Sequence, residues 1–515
     1  MGVATGPRLP PMVGLNRGLA ASGTAVIAFF VAVVLPSSTW PLIDGDVWWH
    51  LRAGGEVLAT GAVPGTDTWS ILGQGRPWIS QDWAANTAMA AIMAVGPAGA
   101  TALSVGFGLV VVAAFAVLWR TIGIRNPAVR WASRIVWLTG GLVLAAPILG
   151  VRVQVVDLVL SAVVVWLVAH YMVDRRRTWL LGFPLVAVLW ANLHAGWPLL
   201  FLLGGAVVVG EAVDHAWRRA VVPEPLDTAR IRDLGLALVG AFAALALNPS
   251  GTALWVYPLQ TVNIAVLGRH ILEWFPVTAD PRLLGLYVVF VGIVVIPTLA
   301  LGRHTLRLAD ALTIIGLTIM AAYAVRFLLI AGPLVAALAA INLTPRLAAS
   351  RLGRWAQPVV DELSVPRGGR LGLAHLGLAA ALVLLGVGVS LVKVVPPAQM
   401  AAARAQFPVA AVAWVAEHGA SQRAFNRYEW GGYLGYALPD RLVFLDGRAD
   451  VYGDDRLLLY AAVIGVRADP QAVFDQYQVD YVLFSPDGAL ADWLNASPAW
   501  ERAYVDDVAA VWVRR

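Results

Sequence analysis

Long apolar runs divide this sequence, and they constrain it more than any other feature. A helix that crosses the hydrocarbon of a bilayer needs about 20 apolar residues and satisfies its backbone hydrogen bonds internally. Eleven runs suit such helices: 19–37, 98–119, 133–150, 154–173, 178–193, 197–214, 233–248, 283–301, 309–325, 327–343 and 371–394. A shorter run at 84–96 fits a re-entrant or interfacial helix. Hydrophobic residues make up 59% of the chain and charged ones 13%, against roughly 45–50% and 25% in soluble domains. The expected fold class is a polytopic α-helical membrane protein.

The formal charge is +5, but the arginines are spread as membrane loops carry them, so no nucleic-acid partner is expected. With the N-terminus in the cytoplasm, the loops on that side hold twenty arginines, among them Arg120, Arg125 and Arg175, and the other side holds six. Cytoplasmic loops are the arginine-rich ones. The N-terminus is therefore expected inside and, with an odd number of spans, the C-terminus outside, in a multi-pass protein of the cell membrane. The first run follows Arg8 and Arg17 and lacks a small-residue cleavage site, so it reads as a retained helix. The absence of cysteine excludes disulfides and thiolate metal ligands. No phosphate loop, His-Glu-x-x-His zinc motif or nucleophile elbow is present.

The composition changes after residue 395, which divides the chain into a membrane domain, 1–395, and an extracytoplasmic α/β domain, 396–515. In the second part, a helix is expected over FPVAAVAWVAEHG and another over DDRLLLYAAVIG, with strands at RAFN, RLVFLD, VDYVLF and VAAVWVRR. Residues 344–370 read as a cytoplasmic linker. Two large external loops are expected, 38–97 and 249–282.

The first of these loops contains DGDVWWHLRAGG. Val47, Leu51, Gly54 and Leu58 recur at helical spacing, so a short helix lying at the membrane surface is expected. Trp48 and Trp49 then read first as belt anchors at headgroup depth. One of Asp44 and Asp46 suits an N-cap. Two carboxylates at this spacing can also hold a divalent cation, Mg or Mn, through oxygen ligands, or one can take a proton from an attacking group.

The stretch from Asp44 to Trp78 resembles the first external loop of the GT-C superfamily of integral-membrane glycosyltransferases, most closely the oligosaccharyltransferase catalytic subunit. The matching residues are Asp44 or Asp46, then Trp48-Trp49-His50-Leu51-Arg52, then the turn from Gly61 to Asp67, then Gly75-Arg76-Pro77. The resemblance implies that Asp44 or Asp46 stands at a catalytic centre. A second likeness, Tyr428-Glu429-Trp430-Gly431-Gly432-Tyr433, is similar to the family's Trp-Trp-Asp-Tyr-Gly segment, which contacts the acceptor. Here the aspartate is missing and the order differs. A tight turn with packed aromatic side chains is the competing reading of Tyr428, Trp430 and Tyr433, and loop packing is that of His50, Trp48 and Trp49.

Ionisable groups near membrane spans are costly and often functional. Arg152 and Asp157 flank one helix start, where a local ion pair or a snorkelling arginine is the structural expectation. His194 lies at a helix end and Glu273 in the second large loop, near Arg269 and His270. The resemblance implies an acidic residue from a later loop near the reaction centre, for which Glu273 is the candidate. It also implies an arginine holding the lipid phosphate, and Arg326 is the best positional match, with Arg152 and His194 as further phosphate-binding candidates. The implied function is inverting transfer from a polyprenyl-phosphate or polyprenyl-diphosphate sugar to an unidentified acceptor, with membrane lipids as the surroundings. A non-catalytic transporter of lipid-linked glycans or an envelope-assembly scaffold is the alternative.

Overall fold

The computed structural model describes residues 26, 28–219, 222, 224–262, 272–302, 305–351, 353–354, 370–418 and 422–515. The first part of the first expected span, the centre of the linker, Arg269 and His270 lie outside them. The protein is a polytopic helical membrane protein. Among the described residues six helices are long and apolar enough to cross a bilayer: Gly99–Arg125, Trp131–Ile148, Val155–Asp174, Pro198–Trp217, Pro281–Gly302 and Val325–Ala349. A seventh span results if the pair Gly377–Val392 and Pro396–Gln406, bent by 46°, is taken as one. The runs at 178–193 and 309–325 form shorter apolar elements, Arg177–Leu193 and Leu308–Tyr323. The run at 84–96 becomes the helix Trp83–Met93.

Val325–Ala349 is the central span, 83% buried inside the protein. It packs against Trp131–Ala145, where Gly332 and Gly141 face each other. A Cβ at Gly332 would lie 2.5 Å from the Gly141 carbonyl oxygen, so only glycine permits this approach. Small residues at such crossings maximise van der Waals contact where lipid offers no hydrophobic advantage.

The C-terminal part holds a four-stranded sheet of order β1-β2-β4-β3, with β1 Ala424–Asn426, β2 Tyr481–Phe484, β3 Trp500–Val505 and β4 Ala510–Arg514. β1 and β2 are parallel and the other pairs antiparallel. The expected strand RLVFLD is instead a segment with isolated bridges, Leu442 to Arg423 and Val443 to Ser70. Its partner on one side is therefore the first loop rather than a sheet strand.

That loop and the C-terminal part share one core, in which Trp69 and Trp78 pack with Phe425, Phe444 and Tyr452. A buried charge network fixes the junction. The Arg448 guanidinium, 1% exposed, lies 2.9 Å from Asp67 Oδ1 and 2.7 Å from Asp446 Oδ2. It also sits over the Trp69 and Trp78 rings, at 4.1 and 4.6 Å. Burying a guanidinium is tolerable only when carboxylates and π-faces replace water in this way.

Candidate active site

The helix Asp46–Thr60 starts where Asp44 accepts the Asp46 N–H at 2.9 Å. The N-cap position itself is Gly45, without a side-chain cap, so neither aspartate is the N-cap the sequence allowed; Asp44, one residue earlier, holds the first helical N–H instead. Its Oδ2 is 2.5 Å from Arg152 Nε. Arg152 Nη1 is 3.0 Å from Glu273 Oε2, and Glu273 Oε1 is 3.2 Å from Arg326 Nη1. A chain of alternating charge therefore runs Asp44–Arg152–Glu273–Arg326. Arg326 is placed further by Gln154 Oε1, 3.0 Å from its Nη2, and by the Trp274 ring 4.6 Å away.

The local pair expected between Arg152 and Asp157 does not form. Val155–Asp174 begins after Arg152, and the arginine turns toward the first loop. Asp157 turns into the bundle, where it accepts from Trp190 Nε1 at 2.7 Å and faces His194 Nδ1 at 2.8 Å.

One cleft of about 50 Å3 is lined by Asp44, Asp46, His50, Arg152, Gln154, His194, Glu273 and Arg326. Five separate chain segments supply these side chains. Gly447 packs closely against Asp46: a Cβ there would overlap Asp46 Oδ1. Nearby, the Tyr428 hydroxyl donates to the Gly447 carbonyl at 3.2 Å.

The surroundings set different charge states. Burial pushes the Asp46 carboxyl up to about 7, with the negative charges of Asp44 and Glu273 adding to the effect. Asp46 has no arginine partner among the described residues. Desolvation acts on Glu273 too, but Arg326 and then Arg152 outweigh it and hold the carboxyl below the usual carboxylate range. Desolvation also opposes charge on His50. Asp82, 3.2 Å from its Nδ1, overcomes this and raises the imidazole above its ordinary value. Asn86 Oδ1 lies 2.7 Å from the same nitrogen.

The remaining candidates are not in the cleft lining. Trp48 is 7% exposed and packs edge-on against Phe407 and Tyr433, with ring centres 5.5 and 5.0 Å away. It is not a lipid anchor, because the C-terminal part covers this face of the helix. Trp49 lies over His50 at 3.6 Å and is part-buried beside the shared core. Trp430 is buried and donates to the Gln406 carbonyl at 3.2 Å. Tyr433 stacks on Phe407 at 5.3 Å.

Sequence reasoning missed Asp82, Asn86 and Gln154, isolated polar residues without a motif. It also missed Asp450, whose buried carboxyl is pushed up to about 6 and accepts from the Tyr257 hydroxyl at 3.1 Å. The run of aspartates around Gly447 was the available signal for that loop.

No family model and no curated protein matches the sequence. Solved structures do match. The oligosaccharyltransferase AglB of Archaeoglobus fulgidus, in complex with an inhibitory peptide and a dolichol-phosphate, aligns with a TM-score of 0.55 and 11% identity. That alignment covers 92% of this chain and 70% of AglB. An oligosaccharyltransferase of Archaeoglobus fulgidus in complex with Zn and sulfate aligns at 0.50 and 11%, covering 90% of this chain and 68% of that one. ArnT of Cupriavidus metallidurans, in the apo state, aligns at 0.48 and 17%, covering 97% and 98%. The chain shares the fold of these archaeal oligosaccharyltransferase structures. That is the fold the first-loop motif implied.

Proposed function

We propose that this protein is a membrane glycosyltransferase. It takes a sugar from a polyprenyl-phosphate or polyprenyl-diphosphate carrier at the extracytoplasmic face, with the N-terminus inside and residues 396–515 outside. The observation that carries this reading is the convergence of Asp44, Asp46, His50, Arg152, His194, Glu273 and Arg326 on one cleft within this fold.

Asp46 is the proton acceptor. A base whose pKa lies near the working pH combines availability with driving force, and Asp46 stands at about 7. Its ionised form takes the proton of the acceptor's hydroxyl or amide. The freed oxygen or nitrogen bonds to the anomeric carbon while the bond from that carbon to the phosphate oxygen breaks, and configuration inverts. The phosphate leaves with the electron pair. Arg326 and Arg152 stabilise the charge that develops on it. His194, with Nδ1 held by Asp157, has Nε2 left for the same phosphate. The segment around Tyr428 and Gly447 closes the acceptor side.

The test is release of polyprenyl phosphate from monophosphate-linked sugars, or polyprenyl diphosphate from diphosphate-linked ones, by proteoliposomes of the purified protein, with the sugar passing to water or to an added hydroxyl or amide acceptor. Protein-dependent release that Arg326→Gln lowers by roughly a hundredfold, the scale of losing one charge-stabilising donor, supports the reading. Absence of release from mono- and diphosphate donors alike overturns it.

A further inference from the structure

A divalent cation at Asp44 and Asp46 is one reading of their spacing, and the arrangement of their oxygens speaks against it. Asp44 Oδ1 takes the Asp46 N–H at 2.9 Å and Oδ2 takes Arg152 Nε at 2.5 Å. Both Glu273 oxygens face guanidinium groups. Asp46 Oδ1 is pressed against Gly447. Among the described residues no group of three or more His, Asp or Glu side chains is placed to hold a metal ion. A hard divalent ion needs around six oxygen ligands. These residues do not fit one.

The position between Asp44 and Glu273 is nonetheless cationic, and Arg152 fills it. We propose that the Arg152 guanidinium takes the place of a divalent cation in this site: it bridges the first-loop carboxylate and Glu273, and it presents fixed positive charge to the departing phosphate. A guanidinium suits this role because it stays charged and carries five donors in a planar fork. Nε and Nη1 are used on the two carboxylates, which leaves Nη2 for a phosphate oxygen. The proposal rests on the glycosyltransferase reading for the identity of that phosphate, but the absence of a metal requirement does not depend on turnover.

Two measurements on the full-length protein in detergent decide it. The first is Mn2+ binding by electron paramagnetic resonance, in wild type and Asp44→Asn. Equal signals are expected. A stoichiometric Mn2+ site in wild type that Asp44→Asn removes overturns the proposal. The second is affinity for a polyprenyl phosphate with and without a chelator. Affinity is expected to be unchanged by chelation, to fall roughly tenfold in Arg152→Gln, and to recover in part in Arg152→Lys, which keeps the charge. Affinity that requires added Mn2+ or Mg2+ overturns it. If no donor is turned over, the glycosyltransferase reading fails on its own while the Mn2+ measurement still decides the cation.

Discussion

Arg152 Nε lies 2.5 Å from Asp44 Oδ2, an ion pair that ties the start of the span Val155–Asp174 to the segment entering the helix Asp46–Thr60. The side chains are 32% and 15% exposed, so the pair sits between the surface and buried limits. Removing either partner is expected to cost about 1–2 kcal/mol. In a double-mutant cycle, Asp44→Asn combined with Arg152→Gln should destabilise by less than the sum of the two single changes. Thermal unfolding in detergent checks this, and strict additivity contradicts the pairing.

The raised Asp46 carboxyl predicts a pH-dependent stability. Its folded value is about 7, while an unfolded aspartate titrates near 3.9. The folded state thus holds the proton more tightly. The contribution of Asp46 is fully present below about pH 4 and is lost as pH rises through about 7. Asp46→Asn should match wild type in Tm at low pH and exceed it by several degrees at pH 8. An equal Tm at pH 8 contradicts the shift.

Glu273 occupies both arginines proposed to bind phosphate. Glu273→Gln should weaken its hold on them, raising affinity for inorganic phosphate severalfold while lowering Tm. Titration with phosphate, followed by intrinsic fluorescence of Trp274 beside Arg326, reads the first effect. Unchanged or weaker affinity argues against a phosphate site there.

The Arg448 network predicts a cost without a catalytic role. Arg448→Leu leaves Asp67 and Asp446 buried and unpaired and should destabilise by about 3–5 kcal/mol. Neutralising both aspartates in the same chain should recover much of it. The readout is thermal unfolding, and a loss confined to transfer activity contradicts the assignment.

The parts legible in the sequence were those with local signatures. Apolar runs marked most of the helices, and the D-x-D stretch marked one wall of the cleft. What escaped was long-range pairing. Nothing near Asp44 in sequence says that Arg152 will reach it rather than Asp157, because the choice depends on how helix ends meet. The tryptophan pair read as a lipid anchor because its cover, the aromatic group of Phe407, Tyr433 and Tyr436 around Trp48, comes from the far end of the chain. RLVFLD has strand composition, yet its neighbour on one side is Ser70, which no periodicity reveals.

The central claim is that the Asp46 carboxylate drives sugar transfer in this cleft. The direct measurement is the rate of transfer from a polyprenyl-linked donor in proteoliposomes, for wild type, Asp46→Asn and Asp44→Asn. Asp46→Asn should lose on the order of a hundredfold or more in kcat, and the wild-type rate should rise with pH through about 7, where Asp46 ionises. Transfer that survives intact in both variants would show that these aspartates are structural and that the chemistry lies elsewhere.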